Sequence, residues 1–195
     1  MPYVISISGP KGSGKDTAAA IMNKLIPNSS VIAFADPIKE VIMSLFDLAT
    51  IEQYDLFKRT SVDYNLPGYQ THGVPGRSLV REIGMLMRGY DESQFIKYVK
   101  AKIQSDPQKC WIVSDMRFDN EWMALRTMKS KMVKVSRSGY HYDGHITERG
   151  FDDSLVDFHA HNDGTLEQFE INIESIVMDI MKEWDYNEAY SGTSV

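Results

Sequence analysis

One segment near the amino terminus constrains the fold of this chain more than any other. The run Val4–Ile7 predicts a buried strand, the glycine-rich segment Gly9–Lys15 follows it, and an alanine-rich helical pattern then runs from Thr17 to Leu25. Strand, glycine loop and helix in this order are typical of a phosphate-binding loop, because glycines let backbone N–H groups converge on phosphate oxygens at a helix N-terminus. The ammonium of Lys15 adds a full positive charge for the β- and γ-phosphates of a nucleotide.

The loop departs from the usual pattern at one position. Where Ser or Thr normally follows the Gly-Lys pair and binds magnesium through its hydroxyl, this chain has Asp16, and Thr17 comes one residue later. Two interpretations of Asp16 are open. Its carboxylate could hold magnesium directly or through a coordinated water, or it could serve as the N-cap of the helix.

Composition narrows the class of protein. The chain has 195 residues, enough for a full hydrophobic core in one domain. Its 43% apolar and 25% charged residues are typical of a globular protein, and the net charge of −6 argues against nucleic-acid binding by bulk electrostatics. The single Cys110 lies in an apolar run, which predicts a buried thiol in a reducing compartment. We expect a cytoplasmic protein without a membrane span or signal peptide.

Four further short apolar runs alternate with helical patterns. This alternation predicts a parallel sheet with helices on both faces. The further strands are expected at 31–34, 110–114, 132–136 and 155–160, and the helices at about 16–25, 37–48, 78–88, 93–104, 120–129 and 166–184. Two glycine-rich segments, 60–76 and 138–153, are long for structureless loops and indicate function or flexibility. The tail from Tyr186 is expected to be loose.

Polar residues follow every predicted strand. In an open parallel sheet, ligands bind beyond the carboxyl ends of the strands. The first strand leads into the phosphate loop, and the later ones are followed by Asp36-Pro37-Ile38-Lys39, Asp115-Met116-Arg117, Arg137 and Asn162-Asp163. We therefore expect a site for anionic ligands along this edge of the sheet.

Three of these residues have candidate chemical roles. Asp115 is a candidate carboxylate for the waters of a magnesium ion, with an N-cap of the following segment as the alternative. The guanidinium of Arg117 could hold a second phosphate, or could pair with a neighbouring acidic residue, Asp119 or Glu121. Arg137 opens the second glycine-rich segment, where a closing lid would place an arginine over transferring phosphates.

Further cations lie between the predicted strands. Lys39 could reach an acceptor phosphate, although solvation on its helix is the usual fate of such a lysine. Arg77, Arg81 and Arg88 fall near one face of a helix, which suggests an anion as partner and leaves pairing with nearby carboxylates as the alternative.

The second glycine-rich segment carries possible metal ligands. His141, His145 and Glu148 lie within it. Zinc binding is the minority interpretation, because their spacing is irregular and the chain has one cysteine.

Taken in order, these motifs resemble bacteriophage-type deoxynucleoside monophosphate kinases. The resemblance spans nearly the whole chain and rests on Gly14-Lys15-Asp16-Thr17, Asp36-Pro37-Ile38-Lys39, Arg77 to Gly84, Asp115-Met116-Arg117, Val133 to Arg137, His145-Ile146-Thr147-Glu148 and Asn162 to Glu167. Members of the family often carry Arg where Gly12 stands and Thr where Met85 stands, so Lys11 is expected to replace one phosphate contact. The segment 51–76 matches least well. Animal phosphomevalonate kinases resemble the chain more distantly.

The resemblance implies a fold and a reaction. The implied fold is the three-layer α/β sandwich of P-loop NTPases, with a five-stranded parallel sheet and helices on both faces. One kinase domain would span 1–195, with an acceptor-binding region at about 36–92 and a short lid at about 137–154. The implied reaction transfers the γ-phosphate of ATP to a deoxynucleoside 5′-monophosphate, giving ADP and the diphosphate. It would take place in the cytoplasm, that of an infected host if the chain is phage-encoded.

The resemblance also implies ligands and residue roles. Mg²⁺ is the implied cofactor, and ATP and a deoxynucleoside monophosphate are the partners, with no nucleic-acid polymer or membrane; a homodimer stays open. The implied catalytic residues are Lys15, Asp115, Arg117 and Arg137. ATP would be held by Gly9, Lys11, Gly12, Ser13, Gly14, Lys15, Asp16, Thr17 and Arg137, with Asn162 near adenine. The acceptor would be held by Asp36, Lys39, Arg77, Arg88, Arg117 and Glu148. Magnesium would be held, mainly through water, by Asp16 and Asp115.

Two alternatives to this reaction stay open. The chain could be an ATP-dependent kinase of another small phosphorylated metabolite, such as phosphomevalonate or dephospho-coenzyme A. It could also be a binding module that uses ATP as a switch. The base of the acceptor, the choice between deoxyribose and ribose, and the oligomeric state are not predicted by the sequence.

Overall fold

The computed structural model describes residues 1–66, 69–141 and 153–191. The strands are β1 (Tyr3–Ser8), β2 (Ser29–Ile32), β3 (Ser61–Leu66), β4 (Tyr69–Pro75), β5 (Cys110–Val113), β6 (Lys129–Ser136) and β7 (Phe158–His161). The helices are α1 (Lys15–Leu25), α2 (Asp36–Leu45), α3 (Ile51–Arg59), α4 (Gly76–Tyr90), α5 (Gln94–Ser105), α6 (Asp119–Leu125) and α7 (Leu166–Ser191). A 3₁₀ turn, Asp153–Leu155, precedes β7.

The main sheet has five strands in the order β2-β5-β1-β6-β7. All of its neighbouring strands pair in parallel, so their carboxyl ends meet at one edge. β1 lies in the middle, where both of its edges are paired, and the phosphate loop leaves from its carboxyl end. The predicted five-stranded parallel sheet is confirmed.

Both faces of this sheet are buried. One face packs on α1 and α7, and its core contains Ile5, Ile7, Ile112, Val133 and Val135 from the strands with Ala18, Met22, Phe169, Ile173 and Ile180 from the helices. Successive strand residues point to opposite faces. The residues that alternate with the first set are also buried, namely Val4, Ser6, Trp111, Val113 and Met132, as are Val99 and Ile103 of α5 and Trp122 and Leu125 of α6.

The chain divides into two compact units. The first comprises Met1–Ala33 and Val99–Val195 and contains the five-stranded sheet. The second comprises Phe34–Tyr98 and contains α2, α3, α4 and the strands β3 and β4. Within the second unit, the rings of Phe46 and Phe57 lie 4.5 Å apart. A Cβ on Gly84 would lie 2.9 Å from Cδ1 of Ile38, so the absence of a side chain lets α4 approach α2 closely.

The segment 60–76, in which no strand was predicted, is largely an antiparallel hairpin. β3 pairs with β4, with Ser61 opposite Pro75 and Leu66 opposite Tyr69. The sequence prediction therefore missed these two strands. The sequence of β3 alternates polar and apolar residues, and the Pro-Gly pair at 67–68, which lies outside the described residues, is a turn-forming sequence.

Helix α3 was not predicted, although its sequence carries a start signal. Thr50 Oγ1 accepts a hydrogen bond from Gln53 N at 3.3 Å, and Gln53 Oε1 accepts one from Thr50 N at 3.1 Å. Thr followed three residues later by Gln is the pattern of a capping box. That spacing would have predicted a helix from Ile51 onward.

Several predicted boundaries shift. β2 begins and ends two residues earlier than predicted, and α6 ends at Leu125 rather than near 129. The tail expected to be loose from Tyr186 is helical through Ser191. The predicted lid, about 137–154, lies mostly outside the described residues. In the described part of the chain, none of the helices combines the length and hydrophobicity needed to cross a bilayer.

Candidate active site

The phosphate loop connects β1 to α1 and approaches its neighbours closely. Gly9 has a φ of +144°, and a Cβ there would lie 2.2 Å from the backbone O of Val135 in β6. Gly14 is the N-cap of α1, and no side chain caps this helix. The free N–H groups of a first helical turn are suited to an anion. Asp16 lies exposed within that turn, so its interpretation as the N-cap is wrong.

The predicted phosphate-binding lysine is folded into the loop. Lys15 Nζ donates hydrogen bonds to the carbonyl oxygens of Gly9 and Pro10, both at 2.8 Å. The residue is 9% exposed. A positive charge therefore lies inside the curve of the loop, where the predicted phosphates would bind.

A buried hydroxyl adds to this set of donors. Ser13 Oγ in the loop is buried and has no hydrogen-bond partner among the described residues. Leaving such a group unsatisfied costs about 1–3 kcal/mol, which a bound acceptor would offset. Helical N–H groups, an ammonium and this hydroxyl together fit a polyphosphate.

The segment Asp115-Met116-Arg117 lies beside the loop. Met116 N donates to Ile7 O of β1 at 3.2 Å, and Ser114 N donates to Ile32 O of β2 at 3.1 Å. Asp115 and Arg117, both half-buried, therefore lie near the carboxyl ends of β1 and β2, and the loop leaves from the end of β1. This is the edge at which the sequence predicts them to meet the loop.

Glu121 has a role that sequence reasoning missed. Its carboxylate is fully buried, and Oε2 accepts hydrogen bonds from Arg117 N at 2.8 Å and Phe118 N at 3.1 Å. α6 has Phe118 at its N-cap position, so Asp115 does not cap it and that alternative is wrong. An acidic residue three positions after an N-cap is the pattern that could have identified Glu121.

A second arginine lies near the loop. The guanidinium carbon of Arg137, which follows β6, lies 5.2 Å from the ring centroid of Tyr140. Tyr140 N donates to Arg137 O at 3.1 Å, closing a turn. A Cβ on Gly12 would lie 2.5 Å from Cε1 of Tyr140, so this ring lies directly against the phosphate loop. The sequence predicted Arg137 at this edge of the sheet, but the role of Tyr140 beside the loop was not predicted.

The residues after β7 also bond to the site. Asn162 Nδ2 donates to Ser13 O of the loop at 2.8 Å. Asp163 Oδ1 accepts from Ser138 N at 2.5 Å. The hydrogen bonds from Ser138 lower the pKa of the Asp163 carboxyl, and electrostatic interactions with His161 and Arg137 act in the same direction. The predicted contact of Asn162 with adenine stays a prediction.

Most predicted acceptor-side residues belong to the second unit. Four of them are half-buried there: Asp36, Lys39, Arg77 and Arg88. Lys39 Nζ lies 5.9 Å from the ring centroid of Tyr54. The guanidinium carbon of Arg88 lies 4.8 Å from the ring centroid of Phe95. Their roles stay predictions, and Glu148 lies outside the described residues.

The residues predicted to hold magnesium are two carboxylates. Asp16 is exposed in the first turn of α1, and Asp115 is half-buried at the sheet edge. Within 1–66, 69–141 and 153–191, no three His, Cys, Asp or Glu residues are grouped as a metal site. Mg²⁺ keeps several waters and shares substrate phosphates, so two carboxylates beside a phosphate loop fit it better than they would fit zinc.

Comparisons with known proteins bear on the class of protein. The profile of the deoxynucleotide monophosphate kinase family matches residues 85–173. A protein of Acanthamoeba polyphaga mimivirus, described as "Putative deoxynucleotide monophosphate kinase", is 28% identical over 196 residues, covering 89% of this chain and 95% of the viral protein. Dephospho-CoA kinase from Campylobacter jejuni has a similar structure, with a TM-score of 0.52 and 16% identity, covering 94% of this chain and 99% of the other.

These findings confirm two sequence predictions. The chain has the predicted α/β fold with a five-stranded parallel sheet, and this fold is similar to that of dephospho-CoA kinase from Campylobacter jejuni. It resembles deoxynucleotide monophosphate kinases, and both sequence comparisons support a nucleotide kinase. The resemblance to animal phosphomevalonate kinases stays a prediction.

Proposed function

We propose that the chain is a deoxynucleoside monophosphate kinase that transfers the γ-phosphate of ATP to a deoxynucleoside 5′-monophosphate. The observation that carries the proposal is the position of Asp115-Met116-Arg117, bonded through Met116 to the end of β1, from which the loop holding Lys15 leaves. Two anionic ligands would then have cationic partners on one sheet edge. The resemblance to the mimivirus protein supports the substrate class.

The proposed chemistry needs little covalent help from the protein. An oxygen of the acceptor phosphate attacks the γ-phosphorus, the bond to the β,γ-bridging oxygen breaks, and ADP leaves. The acceptor phosphate is ionised at neutral pH, so no general base is required. The protein must align two polyanions and neutralise their repulsion. We propose that Lys15 binds the phosphates of ATP, that Arg117 binds the phosphate of the acceptor, and that Arg137 neutralises charge on the phosphoryl group during transfer.

Magnesium fits the donor side of this proposal. Asp16 and Asp115 would hold the ion, mainly through coordinated water. When bound, it would neutralise charge on the β- and γ-phosphates. Exposed Lys11 is a further cation for the donor phosphates beside Gly12, which has no side chain to contribute.

The acceptor is assigned by chemistry rather than by an observed contact. Asp36, Lys39, Arg77 and Arg88 supply one carboxylate and three cations, and we propose that they recognise the deoxynucleoside monophosphate. Glu148 completes the proposed set.

A substrate screen tests the proposal. ADP formation from Mg-ATP is measured with each of the four common deoxynucleoside monophosphates, their ribonucleotide counterparts, phosphomevalonate and dephospho-coenzyme A. We expect ADP and a nucleoside diphosphate with at least one deoxynucleoside monophosphate. Turnover with phosphomevalonate or dephospho-coenzyme A alone would identify a different metabolite kinase. Slow ATP hydrolysis at a rate that does not depend on any of the acceptors would favour a binding module that uses ATP as a switch.

Two substitutions separate the proposed donor and acceptor sides. Lys15→Ala is expected to lower kcat roughly 10²–10³-fold with any acceptor, since it removes a charge next to the transferring phosphate. Arg117→Ala is expected to raise the KM of the monophosphate about 10–100-fold, as expected for one lost charged hydrogen-bonding group. The measurement is steady-state kinetics with each substrate varied in turn.

The matched control is Arg126→Ala, at an exposed arginine next to the carboxyl end of α6. It should leave both KM values within about twofold of the unmodified protein, which is below the effect of one lost hydrogen bond. If Arg117→Ala changes the KM of ATP alone, the acceptor assignment of that arginine is wrong.

A further inference from the structure

Two consecutive residues after β7 bond to two different segments of the candidate site. The Asn162 amide donates to Ser13 O in the phosphate loop at 2.8 Å. The Asp163 carboxylate accepts from Ser138 N, next to Arg137, at 2.5 Å. These two consecutive residues therefore connect the phosphate loop to the segment that carries Arg137.

The sheet holds this connector in place. Asn162 N donates to Ser136 O at 2.9 Å, which extends the pairing of β7 with β6 beyond its last residue. One residue earlier, the Ser136 hydroxyl is hydrogen-bonded to His161 Nδ1 at 2.9 Å. Two bonds on neighbouring residues fix the backbone from which the Asn162 and Asp163 side chains project.

The contact between Asn162 and the loop is close. A Cβ on Gly14 would lie 2.5 Å from Asn162 Nδ2. Gly14 also has a φ of +108°, which side chains disfavour. The amide therefore occupies the space that a side chain at position 14 would fill, and its hydrogen bond fixes the carbonyl of the peptide that precedes Gly14.

The same two segments meet a second time. The Tyr140 ring lies against Gly12, and the Arg137 guanidinium lies over that ring. The loop and the arginine segment thus touch on one side through Tyr140 and are joined on the other through Asn162 and Asp163. Such a double attachment restricts the position of Arg137 relative to the loop.

We propose that Asn162 and Asp163 are a positioning pair that fixes the position of the phosphate loop relative to Arg137. Asn162 acts on the loop carbonyl, and Asp163 acts on the backbone beside Arg137. Neither needs to contact the transferring phosphate. The kinetic part of this inference rests on the proposed phosphotransferase function, whereas the effect on the loop does not.

Substitutions at the pair test the inference against a purely structural role. Asp163→Ala removes the acceptor, Asp163→Asn retains an acceptor oxygen, and Asn162→Asp replaces the amide donor by an acceptor of nearly the same shape. The matched control is Asp157→Ala, because Asp157 Oδ2 accepts from Met132 N at 2.7 Å near the other end of the same two strands. Thermal unfolding, kcat and both KM values are measured for each variant.

The expected result is a separation of stability from turnover. Asp163→Ala and Asp157→Ala should lower the melting temperature by similar amounts. Only Asp163→Ala should lower kcat at least tenfold with the KM of the acceptor unchanged, and Asp163→Asn should recover part of that loss. Equal effects of Asp163→Ala and Asp157→Ala on kcat would overturn the positioning role of Asp163.

A binding measurement separates this inference from the proposed function. Inorganic triphosphate is titrated into each variant by calorimetry, which probes the loop without any acceptor. Asn162→Asp should weaken its binding at least tenfold, and Asn162→Ala should weaken it less but measurably. Unchanged affinity in Asn162→Ala would overturn the loop contact. If the unmodified protein phosphorylates no acceptor while Asn162→Ala still weakens triphosphate binding, the proposed function fails and the loop contact stands.

Discussion

At the scale of single residues, the phosphate loop is shaped by the segments that lie against it. Gly9 faces a backbone carbonyl of β6, and Gly12 faces the ring of Tyr140. The carbonyl next to Gly9 belongs to a buried strand and cannot move aside to make room for a side chain. The Tyr140 ring next to Gly12 is exposed and can rotate away. The two glycines are therefore required to different degrees.

Alanine substitutions measure this difference. Gly9→Ala would place a Cβ 2.2 Å from Val135 O, and we expect a loss of about 2–4 kcal/mol in the free energy of unfolding as β6 is displaced. Gly12→Ala meets only the movable Tyr140 ring, so the expected loss is about 1–2 kcal/mol, mainly from its positive φ. Urea denaturation gives both values.

Gly139→Ala is the control for the backbone term. Gly12 and Gly139 share a φ of +79°, but a Cβ on Gly139 would have nothing within 4 Å. Its loss should represent the conformational cost alone. A Gly9→Ala variant no less stable than Gly139→Ala would contradict the steric argument.

At the scale of elements, α6 is held by a buried carboxylate at its start. Glu121 accepts two backbone N–H groups, one of them from Arg117. The same bond that begins the helix thus fixes the backbone of the proposed acceptor-phosphate residue. By contrast, the capping box of α3 between Thr50 and Gln53 is exposed.

Removing the two caps should have unequal effects. Glu121→Ala removes a fully buried carboxylate that accepts hydrogen bonds from two part-buried N–H groups, and we expect a loss of about 2–4 kcal/mol in the free energy of unfolding. Thr50→Ala removes an exposed cap that water can replace, with an expected loss of about 1 kcal/mol or less. Both are read from urea midpoints at constant m-value. Equal losses would show that Glu121 is not the main support of α6.

At the scale of the whole molecule, the first unit is built around a sheet with both faces covered. Cys110 in β5 belongs to the core on the face shared with α1 and α7 and is 7% exposed. Burial raises the pKa of its thiol from 9.0 to about 12. The thiol should therefore report on global unfolding rather than on local movement.

Alkylation and pH dependence test this burial. At pH 8, iodoacetamide should leave the folded protein unlabelled and should modify Cys110 only as urea unfolds the chain. Above pH 9.0 the unfolded thiol ionises while the folded thiol stays protonated to about 12. Stability is therefore lost as pH rises through this window, by up to about 1.4 kcal/mol per pH unit.

Cys110→Ala is the control, and it should remove this part of the alkaline slope. Rapid labelling of the folded protein at pH 8 would contradict the buried position of the thiol. A slope that is the same in the alanine variant would show that other groups cause the loss of stability.

The local signals of this sequence predicted the strands and helices of the first unit better than those of the second unit. The loop around Lys15, the strand before Asp115 and the strand before Arg137 each combine an apolar run with a turn or helix signal, which short-range patterns report well. The hairpin of β3 and β4 and the helix α3 were missed. Their signals, an alternating six-residue run and a capping box, are short and were outweighed by the surrounding glycines and prolines.

Chain order and side-chain type were enough to predict the parallel sheet, the glycine-rich connection between β1 and α1, and the sheet edge at which charged residues gather. These features depend on short-range periodicity and on the backbone freedom of glycine. Contacts between residues far apart in the chain could not be read in this way. The amide of Asn162 on Ser13 and the Tyr140 ring against Gly12 depend on which strands are neighbours and how their ends are aligned. That alignment results from packing of the whole sheet, which no short segment specifies.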